Sequence, residues 1–384
     1  MIETNYSRTR SRQMQRRSMR RRAWKNTLLF SLLACIGAGA YFSFTSLDKH
    51  KAPETNPAPT HAAAQEPTVR LSFVGDVMMA GNVEKVLLEK GYHYPFTHVR
   101  ELFLQDDYTI ANLESPLTTR GTPADNKAYV YKSSPLAAPA MQAAGIDAVN
   151  LANNHAMDQG VDGLLDTFAA LEENRIAYVG GGVDSARAYA PVFVEKNGIR
   201  LALFGFSRVM PEVSWFAQKN APGLAGTYDP AMAVQAIQQA KAQADIVIVI
   251  AHWGKEREDF PVEHQKELAK AYIDAGADLV VGGHPHVLQG FEQYRGKWIA
   301  YSLGNFIFTR STEPKTWETM VLQASCTKNA ACSLTMLPFH AELGQAVPMN
   351  ATDGAALLRR IESLSENVQI DADGRVRAKD GQDT

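Results

Sequence analysis

The stretch that most limits what this chain can fold into is IVIVIA, residues 246–251. Its residues are all apolar, which is typical of a strand that is buried on both faces. Other runs of β-type residues recur from Val69 onward. They are VRLSFVG (69–75), DYTIANL (107–113), DAVNLA (147–152), IAYVGG (176–181), IRLALFGFS (199–207), ADLVVGG (277–283) and KWIAYSLG (297–304).

Helical patterns lie between many of these runs. In VDGLLDTFAALEENR, residues 161–175, apolar side chains recur at the spacing of a helix. Residues 230–243 and 262–276 repeat the pattern, the first opening with Pro and the second ending in Gly. Strands that alternate with helices predict an α/β domain. After Trp317, two adjacent strand-like runs predict an antiparallel edge, and a helix over 353–367 precedes a polar tail.

A basic arm and an apolar span precede this domain. Residues 8–25, RTRSRQMQRRSMRRRAWK, contain no acidic residue, although the net charge of the whole chain is only −2. Residues 26–47 contain no charged residue and are long enough to cross a bilayer as a helix. Basic residues before such a span indicate its cytoplasmic side. We therefore predict a cytoplasmic arm (1–26), a single-pass anchor in the cell membrane (27–47) and an extracytoplasmic main domain.

Other interpretations of this region stay open. The arm alone would also suit a nucleic-acid-binding tail, but the adjoining apolar span favours the membrane, and we predict no nucleic-acid partner. Ala38-Gly39-Ala40 fits the cleavage pattern of a signal peptide, and Cys35 resembles the processing site of a lipoprotein. Because apolar residues continue through Phe44, we favour an anchor that is not cleaved.

Three segments follow the anchor. Residues 48–68 are rich in Pro, Ala and polar residues and predict a flexible linker. The main domain is expected over 69–345, and a C-terminal helix with a polar tail over 346–384. Cys326 and Cys332 flank a short polar turn. An oxidising compartment would let them form a disulfide across this hairpin, with two reduced thiols as the alternative.

Polar residues that can bind metals follow the ends of five strand-like runs. They are Asp76, Glu114, Asn153, Asn154, His155, Asp158, His252, His284 and His286. In open α/β sheets, ligands bind outside the carboxyl ends of the strands. Carboxylate, amide oxygen and imidazole suit borderline divalent ions, so we predict one or two ions at this rim, with Mn, Fe or Zn expected. Past the last of these strands, Gly282, Gly283 and Pro285 permit a turn that aims both following imidazoles inward.

Five motifs give the chain a resemblance to a known family. They are GDVMMAGN (75–82), ANLESPL (111–117), NLANNHAMDQG (150–160), AHWGKE (251–256) and GGHPHVLQG (282–290). In this order they resemble the motifs of the CapA-type capsule synthesis proteins, which are associated with poly-γ-glutamate. That family is similar to the calcineurin-like metallophosphoesterases. The resemblance covers about residues 69–310 and implies a four-layer α/β/β/α sandwich of the metallophosphoesterase type.

The resemblance also implies roles for individual residues. The implied ligands are Asp76 and His286 for one ion, and Asn154, His252 and His284 for the other. Glu114 would stand where a bridging aspartate is usual, and His155 would match the histidine that protonates the leaving group.

The sequence departs from the phosphoesterase pattern at two places. The pattern begins D-x-H, whereas Asp76 and Val77 are followed here by Met78. A thioether is a poor ligand for a borderline ion, so the first site lacks an expected imidazole. The usual G-D-x-x-D motif is also absent, and Glu114 replaces its aspartate.

Three hypotheses of function follow. The first is a membrane-anchored metal-dependent phosphoesterase that acts in capsule or exopolymer biosynthesis. The second is a non-catalytic component of a poly-γ-glutamate synthesis or export complex, which binds the anionic polymer together with other capsule-synthesis membrane proteins. The third is hydrolysis or transfer at an amide of that polymer. Lys127, Lys132 and Arg208 lie in loops and are candidates to receive an anionic substrate, with solvated surface charge as the alternative.

Overall fold

The structure, a computed structural model, describes residues 66–125 and 127–379. The basic arm, the predicted anchor over 27–47 and most of the predicted linker lie outside the described residues. Within the described ranges, every helix is too short or too polar to cross a bilayer.

The described residues form strands and helices that alternate along much of the chain. The strands are β1 (Thr68–Val77), β2 (Tyr108–Leu113), β3 (Ala148–Asn150), β4 (Ala177–Val179), β5 (Gly181–Gly182), β6 (Val192–Lys196), β7 (Ile199–Ser207), β8 (Gly223–Leu224), β9 (Ile246–His252), β10 (Leu279–Gly283), β11 (Phe291–Tyr294), β12 (Lys297–Ala300), β13 (Asn305–Ile307), β14 (Glu318–Thr327), β15 (Cys332–Glu342), β16 (Gln345–Pro348), β17 (Val368–Ile370) and β18 (Arg375–Ala378). The α-helices are α1 (Asn82–Lys90), α2 (Arg100–Gln105), α3 (Ala137–Ala144), α4 (Gly160–Glu173), α5 (Ser185–Ala188), α6 (Ala231–Lys241), α7 (Glu263–Ala275) and α8 (Ala351–Leu364).

The strands build two mixed sheets and a two-stranded ribbon of β5 and β8. The larger sheet has the order β17-β18-β15-β14-β1-β2-β3-β4, with β13 beside β1 and β16 beside β15. The smaller sheet has the order β11-β12-β10-β9-β7-β6. Strands β1 to β4 are parallel, as are β7, β9, β10 and β12. The antiparallel pairing of β14 and β15 is confirmed as predicted after Trp317, but the pair does not form the edge of the sheet, because β16 and β18 pair with β15.

Three apolar cores separate the layers of the domain. The core between the two sheets contains Leu71 of β1 and Ile248 of β9. Phe168 of α4 packs in the core on the outer side of the larger sheet. Tyr272 of α7 packs in the core on the outer side of the smaller sheet. The order of layers is therefore helices, sheet, sheet, helices, in agreement with the expected α/β/β/α sandwich.

The IVIVIA stretch forms most of β9 and shows why both of its faces are apolar. Ile248 and Ile250 point into the core between the sheets. Val247 and Val249 point to the other face, where α6 and α7 pack. Neighbouring residues of a strand face opposite sides, so a central strand with cover on both sides needs an unbroken apolar run. The prediction of a strand buried on both faces is confirmed.

The end of the chain differs from the expected polar tail. Val368 and Ile370 of β17 and Val376 of β18 bury their side chains in the core between the sheets. This hairpin extends the larger sheet beside β15. Ile361 of α8 reaches the same core. Three apolar residues at strand spacing suffice for this pairing, although the segment as a whole is polar.

The hairpin of β14 and β15 carries two of the cysteines. Cys326 and Cys332 are opposite each other in its register and are joined by a disulfide with an S–S distance of 2.06 Å. Cys326 also pairs with Val69 at the start of β1, so the disulfide lies at the opposite end of β1 from Asp76.

Candidate metal centre

The carboxyl ends of parallel strands from both sheets meet at one rim. Asp76 lies near the end of β1 in the larger sheet, and His252 is the last residue of β9 in the smaller sheet. Asn112 of β2 connects them, because its Nδ2 lies 2.8 Å from Asp76 Oδ1 and 3.3 Å from His252 Nδ1. Residues from separate motifs therefore share one buried site.

The GGHPH segment enters this site through an unusual backbone. A Cβ atom on Gly283, at the end of β10, would lie 2.9 Å from Asp76 Oδ1. Glycine therefore permits this close approach. His284 and His286 have φ angles of 97° and 58°, a left-handed region that residues other than glycine seldom occupy. These two turns bring both imidazoles within reach of Glu114.

Five of the six predicted ligands form two overlapping groups of candidate metal-binding atoms. The groups are Glu114, His284 and His286, and Asp76, Glu114 and His252. Within each group, the candidate atoms all lie within 4.8 Å of one another. Glu114 belongs to both groups, as a bridging carboxylate would. Asn154, the sixth residue, places its Oδ1 2.8 Å from His252 Nε2.

The two groups that the distances define are not the two sets of ligands that the resemblance implies for the two ions. The implied pairs are Asp76 with His286 and His252 with His284. The members of each implied pair are nevertheless close together. His286 Nδ1 lies 3.3 Å from Asp76 Oδ2, and the ring centres of His252 and His284 are 4.8 Å apart. The six side chains thus make one cluster, and their division between ions stays a prediction.

Glu114 is buried without a partner at the centre of this cluster. Neither of its carboxylate oxygens forms a hydrogen bond within the described part of the chain. Its Oε1 lies 3.8 Å from His252 Nε2 and 3.9 Å from His286 Nε2. Burial, and then the Asp76 carboxylate, raise the pKa of Glu114 well above its usual value. A divalent ion between this carboxylate and the imidazoles would remove the cost of burying it, so the residues fit a metal.

His286 is oriented so that its Nε2 faces the cluster. Asn305 donates from Nδ2 to the carbonyl of Thr316 over 3.2 Å, which identifies its Oδ1 as the acceptor. That Oδ1 lies 2.9 Å from His286 Nδ1, so Nδ1 is the donor, and the neutral form of the ring carries its lone pair on Nε2. Metal-binding histidines are usually anchored in this way through the other ring nitrogen. Burial disfavours the charged ring, but Asp76 outweighs burial and raises the pKa of His286.

His252 and His284 are neutral imidazoles in this environment. Burial lowers the pKa of His252 to about 3. Burial, together with the neighbouring ring of His252, lowers the pKa of His284 well below its usual value. His284 Nδ1 is also buried and has no hydrogen-bond partner among the described residues. The neutral imidazole is the form that binds metals, so both rings are ready to act as ligands.

Asn112 is a site residue that the sequence analysis does not single out. Its Oδ1 accepts hydrogen bonds from Asn150 over 3.0 Å and from Asn153 over 3.2 Å, which directs its Nδ2 to the cluster. Burial would raise the pKa of Asp76, but hydrogen bonds and charge from His286, with a smaller contribution from Asn112, lower it. Asp76 is therefore an anion. The signal that could have revealed Asn112 is a polar residue inside the buried run DYTIANL.

His155 lies beside the cluster and has a carboxylate partner of its own. Its Nδ1 lies 2.7 Å from Asp158 Oδ2, and its ring centre lies 4.7 Å from that of Tyr131. The side chain of Lys127 is only 11% exposed here, and its ammonium contacts Asp158 and the carbonyl of Asn154. Burial lowers the pKa of His155, although Asp158 opposes the shift. Asp158 thus orients the ring, and Nε2 forms no hydrogen bond with the residues that the structure describes.

Met78 does not face the cluster. Its side chain is buried in the core between the larger sheet and the helices that cover it. Its Sδ accepts a hydrogen bond of 3.2 Å from the backbone N–H of Ala80. The position that holds a histidine in the phosphoesterase pattern therefore contributes to packing in this chain.

Fold and site together define a class of protein, an α/β/β/α sandwich with a buried cluster of carboxylates and imidazoles that suits divalent metal ions. Residues 70–310 match the family described as bacterial capsule synthesis protein PGA_cap. The chain belongs to this family, which confirms the resemblance found in its five motifs.

Two relatives are similar over most of their length. The chain is 36% identical to the PGA biosynthesis protein CapA of Bacillus subtilis (strain 168), over 72% of this chain and 72% of the relative. It is 35% identical to the capsule biosynthesis protein CapA of Bacillus anthracis, over 73% of this chain and 69% of the relative.

Solved structures show a more distant similarity. A sulfate thiohydrolase SoxB from Thermus thermophilus is 14% identical with a TM-score of 0.41, over 73% of this chain and 49% of SoxB. A 5'-nucleotidase of Candida albicans SC5314 is 12% identical with a TM-score of 0.41, over 76% of this chain and 55% of the nucleotidase. The chain spans about half the length of these two proteins.

Proposed function

We propose that this protein is a divalent-metal-dependent hydrolase of the phosphoesterase type that acts in capsule or poly-γ-glutamate biosynthesis. The biological process is taken from the relatives, whose names refer to capsule and PGA biosynthesis. The observation that carries the proposed chemistry is the buried carboxylate of Glu114, which lies between two imidazoles and has no hydrogen-bond partner among the described residues.

The proposed metal ligands are the residues of the cluster. They are Asp76, Glu114, Asn154, His252, His284 and His286. One or two ions would be bound, and carboxylate, amide and imidazole donors favour Mn, Fe or Zn. Bound ions would act as Lewis acids. They would lower the pKa of a bound water molecule and neutralise the negative charge on the oxygens of a phosphoester.

His155 is the proposed acid and base of the reaction. Its Nδ1 donates to Asp158 Oδ2, so Nε2 is the atom that exchanges a proton with the leaving group. The pKa of His155 is lowered by burial, and an anionic substrate beside the ring would raise it again because it favours the charged form. His155 would then be protonated when substrate is present.

The proposed location is the cell membrane. The span over 27–47 would anchor the chain, with the basic arm in the cytoplasm and the domain outside. This orientation would bring the rim near an anionic exopolymer and other capsule-synthesis membrane proteins, while nucleic acid is not an expected partner.

The test is metal content together with hydrolysis by the full-length protein. With added Mn²⁺, we expect bound metal and turnover of bis(4-nitrophenyl) phosphate. H252A should lose both metal and turnover, whereas H155A should keep the metal and lose about 10²–10⁴-fold in kcat. H98A, which replaces an exposed histidine outside the cluster, is the matched control. Bound metal without turnover of phosphoesters or of poly-γ-glutamate would exclude the hydrolase.

A second candidate function is metal-assisted binding of the polymer without catalysis, as part of a synthesis or export complex. Met78 favours this function. It replaces a histidine ligand of the phosphoesterase pattern, and its side chain is buried in the core between the larger sheet and the helices that cover it. A wild-type protein that binds metal and poly-γ-glutamate but hydrolyses neither the polymer nor phosphoesters would establish this function.

A further inference from the structure

We propose that Arg208 is an anion-recognition residue, which holds a carboxylate or phosphate oxyanion of the substrate beside the metal cluster. The inference rests on the proposed function, because it adds a substrate-binding group to the same site. It concerns a residue that lies outside both groups of candidate metal ligands.

Arg208 lies next to a predicted metal ligand at the rim. It directly follows β7, whose last residue, Ser207, is paired in register with His252 of β9. The backbone N–H of Arg208 donates a hydrogen bond of 2.8 Å to the carbonyl of His252. Arg208 therefore belongs to the same edge of the smaller sheet as the cluster, one strand away from it.

The guanidinium of Arg208 stacks on an aromatic ring and has no counterion among the described residues. Its central carbon lies 3.7 Å from the ring centre of Tyr228. Tyr228 is fixed in turn, since its hydroxyl accepts a 3.2 Å hydrogen bond from the N–H of Met210 and Phe216 packs edge-on against its ring. The guanidinium makes no ion pair or hydrogen bond with any residue in 66–125 or 127–379. A stacked arginine keeps its N–H fork free to bind a carboxylate or phosphate with two parallel hydrogen bonds.

Two other cations with aromatic contacts are also paired with an acidic residue. Arg310 stacks on Trp317 at 3.9 Å, but its Nη1 also lies 2.7 Å from Oε2 of Glu342. Lys127 is near the ring of Trp215, but it is neutralised by Asp158. Arg208 combines a backbone position at the rim with a charge that no described acidic residue neutralises, which makes it the residue proposed to bind an anion there.

The chain offers a matched control in Arg200. It lies near the start of β7, at the end of the strand away from the rim, and its guanidinium also stacks on an aromatic ring, 4.5 Å from the centre of Phe193. Arg200→Ala therefore removes the same charge and a similar stacking contact from the same strand, at a site remote from the cluster.

The experiment is calorimetric titration of the full-length, Mn²⁺-loaded protein with two probes, a γ-linked glutamate decamer and inorganic phosphate. R208A is expected to weaken binding of at least one probe about tenfold or more, because charge-assisted hydrogen bonds are lost. R208K should lose part of the affinity, since it keeps the charge without the planar fork. R200A should bind as the wild type does, and bound metal per chain should be the same in all variants.

Each outcome bears on the inference separately from the proposed function. Weaker binding of the decamer alone identifies a carboxylate as the ligand of Arg208, and weaker binding of phosphate alone identifies a phosphate. If R208A binds a probe more weakly and the wild-type protein hydrolyses neither phosphoesters nor the polymer, the inference is supported and the hydrolase is excluded. Wild-type affinity in R208A, an equal loss in R200A, or loss of metal in R208A overturns the inference even if the protein is an active hydrolase. A wild type that binds neither probe overturns the inference, while hydrolysis continues to be judged by turnover.

Discussion

The side-chain amide of Asn112 donates a hydrogen bond of 2.8 Å to Oδ1 of Asp76. The same amide lies 3.3 Å from Nδ1 of His252, so one residue of β2 contacts a candidate ligand from each sheet. Its carbonyl oxygen is held by Asn150 and Asn153. The relative position of two charged or metal-binding groups therefore depends on a neutral residue outside the ligand set.

Asn112→Ala is expected to lower metal affinity about 10–100-fold, the usual effect of losing a residue that orients metal ligands. Competition with a chromophoric chelator measures the affinity. Asn174→Ala is the control, because that side chain lies outside the cluster and donates to the carbonyl of Ala170 in the preceding helix. Equal affinity in the wild type and the Asn112 variant would show that Asn112 does not position the ligands.

Glu114→Gln is expected to stabilise the metal-free protein at pH 7 by about 1–3 kcal/mol while removing most of the stabilisation by Mn²⁺. The substitution replaces a buried, unpaired acid with a neutral amide of the same shape, but an amide is a poorer bridge between ions. Chemical denaturation with and without Mn²⁺ measures both effects. Glu89→Gln, on the exposed side of α1, should change neither.

The same variant tests a pH dependence. The pKa of Glu114 is raised in the fold from its ordinary value of 4.5, so above that pH the folded, metal-free protein retains a proton that the unfolded chain releases. Stability of the metal-free wild type should therefore fall as the pH rises above this value, through the raised pKa. Glu114→Gln should lack this part of the fall. An identical pH profile in the two proteins would contradict the raised pKa.

The disulfide between Cys326 and Cys332 should stabilise the fold without affecting the metal site. It closes a short loop, for which chain entropy predicts a contribution of about 2 kcal/mol. Replacing both cysteines with alanine should lower the free energy of unfolding by about this amount and leave metal content unchanged, because the bond lies at the far end of β1 from Asp76. Reductant should destabilise the wild type but not this double variant.

Arg360 of α8 should contribute more to stability than an ordinary surface arginine. It pairs with Glu318 of β14 and with Asp259, which also binds Lys315. Because its side chain is only 25% exposed, Arg360→Ala should cost about 1–2 kcal/mol. Arg295→Ala is the comparison, since its pair with Asp274 is largely exposed and should contribute less than about 1 kcal/mol. Equal losses would contradict a special role for α8.

The parallel strands at the centre of the fold could be predicted because each has a recognisable apolar sequence pattern. IVIVIA is apolar at every position, and β9 needs this on both faces. The edge strands β6 and β17 could not be predicted, since each buries one face at most and their short runs resemble loops. Nothing local in residues 368–378 shows that three apolar side chains will find the core between two distant sheets.

The cluster could be predicted because each candidate ligand lies at the carboxyl end of its strand or within a few residues of it, and parallel strands bring such ends to one rim. Residues that orient the candidate ligands without binding the metal themselves were harder to predict from the sequence. Asn112 lies inside a strand, and Asn305 reaches His286 only because β13 pairs with β1 at Asp76. Lys127 gives no sequence sign that it is buried, since its contacts with Asp158 and Asn154 depend on how a loop closes over the rim.

The hairpin of β17 and β18 has a practical consequence for shortened versions of the protein. A chain that stopped at residue 345 would leave β15 without its neighbour β18 and would remove α8 from the core between the sheets. The free edge of β15 could then pair with a strand of another copy of the chain, and the exposed apolar side chains would favour aggregation. Helix α8 and the hairpin of β17 and β18 thus protect the protein from aggregation, although they contribute no candidate ligand.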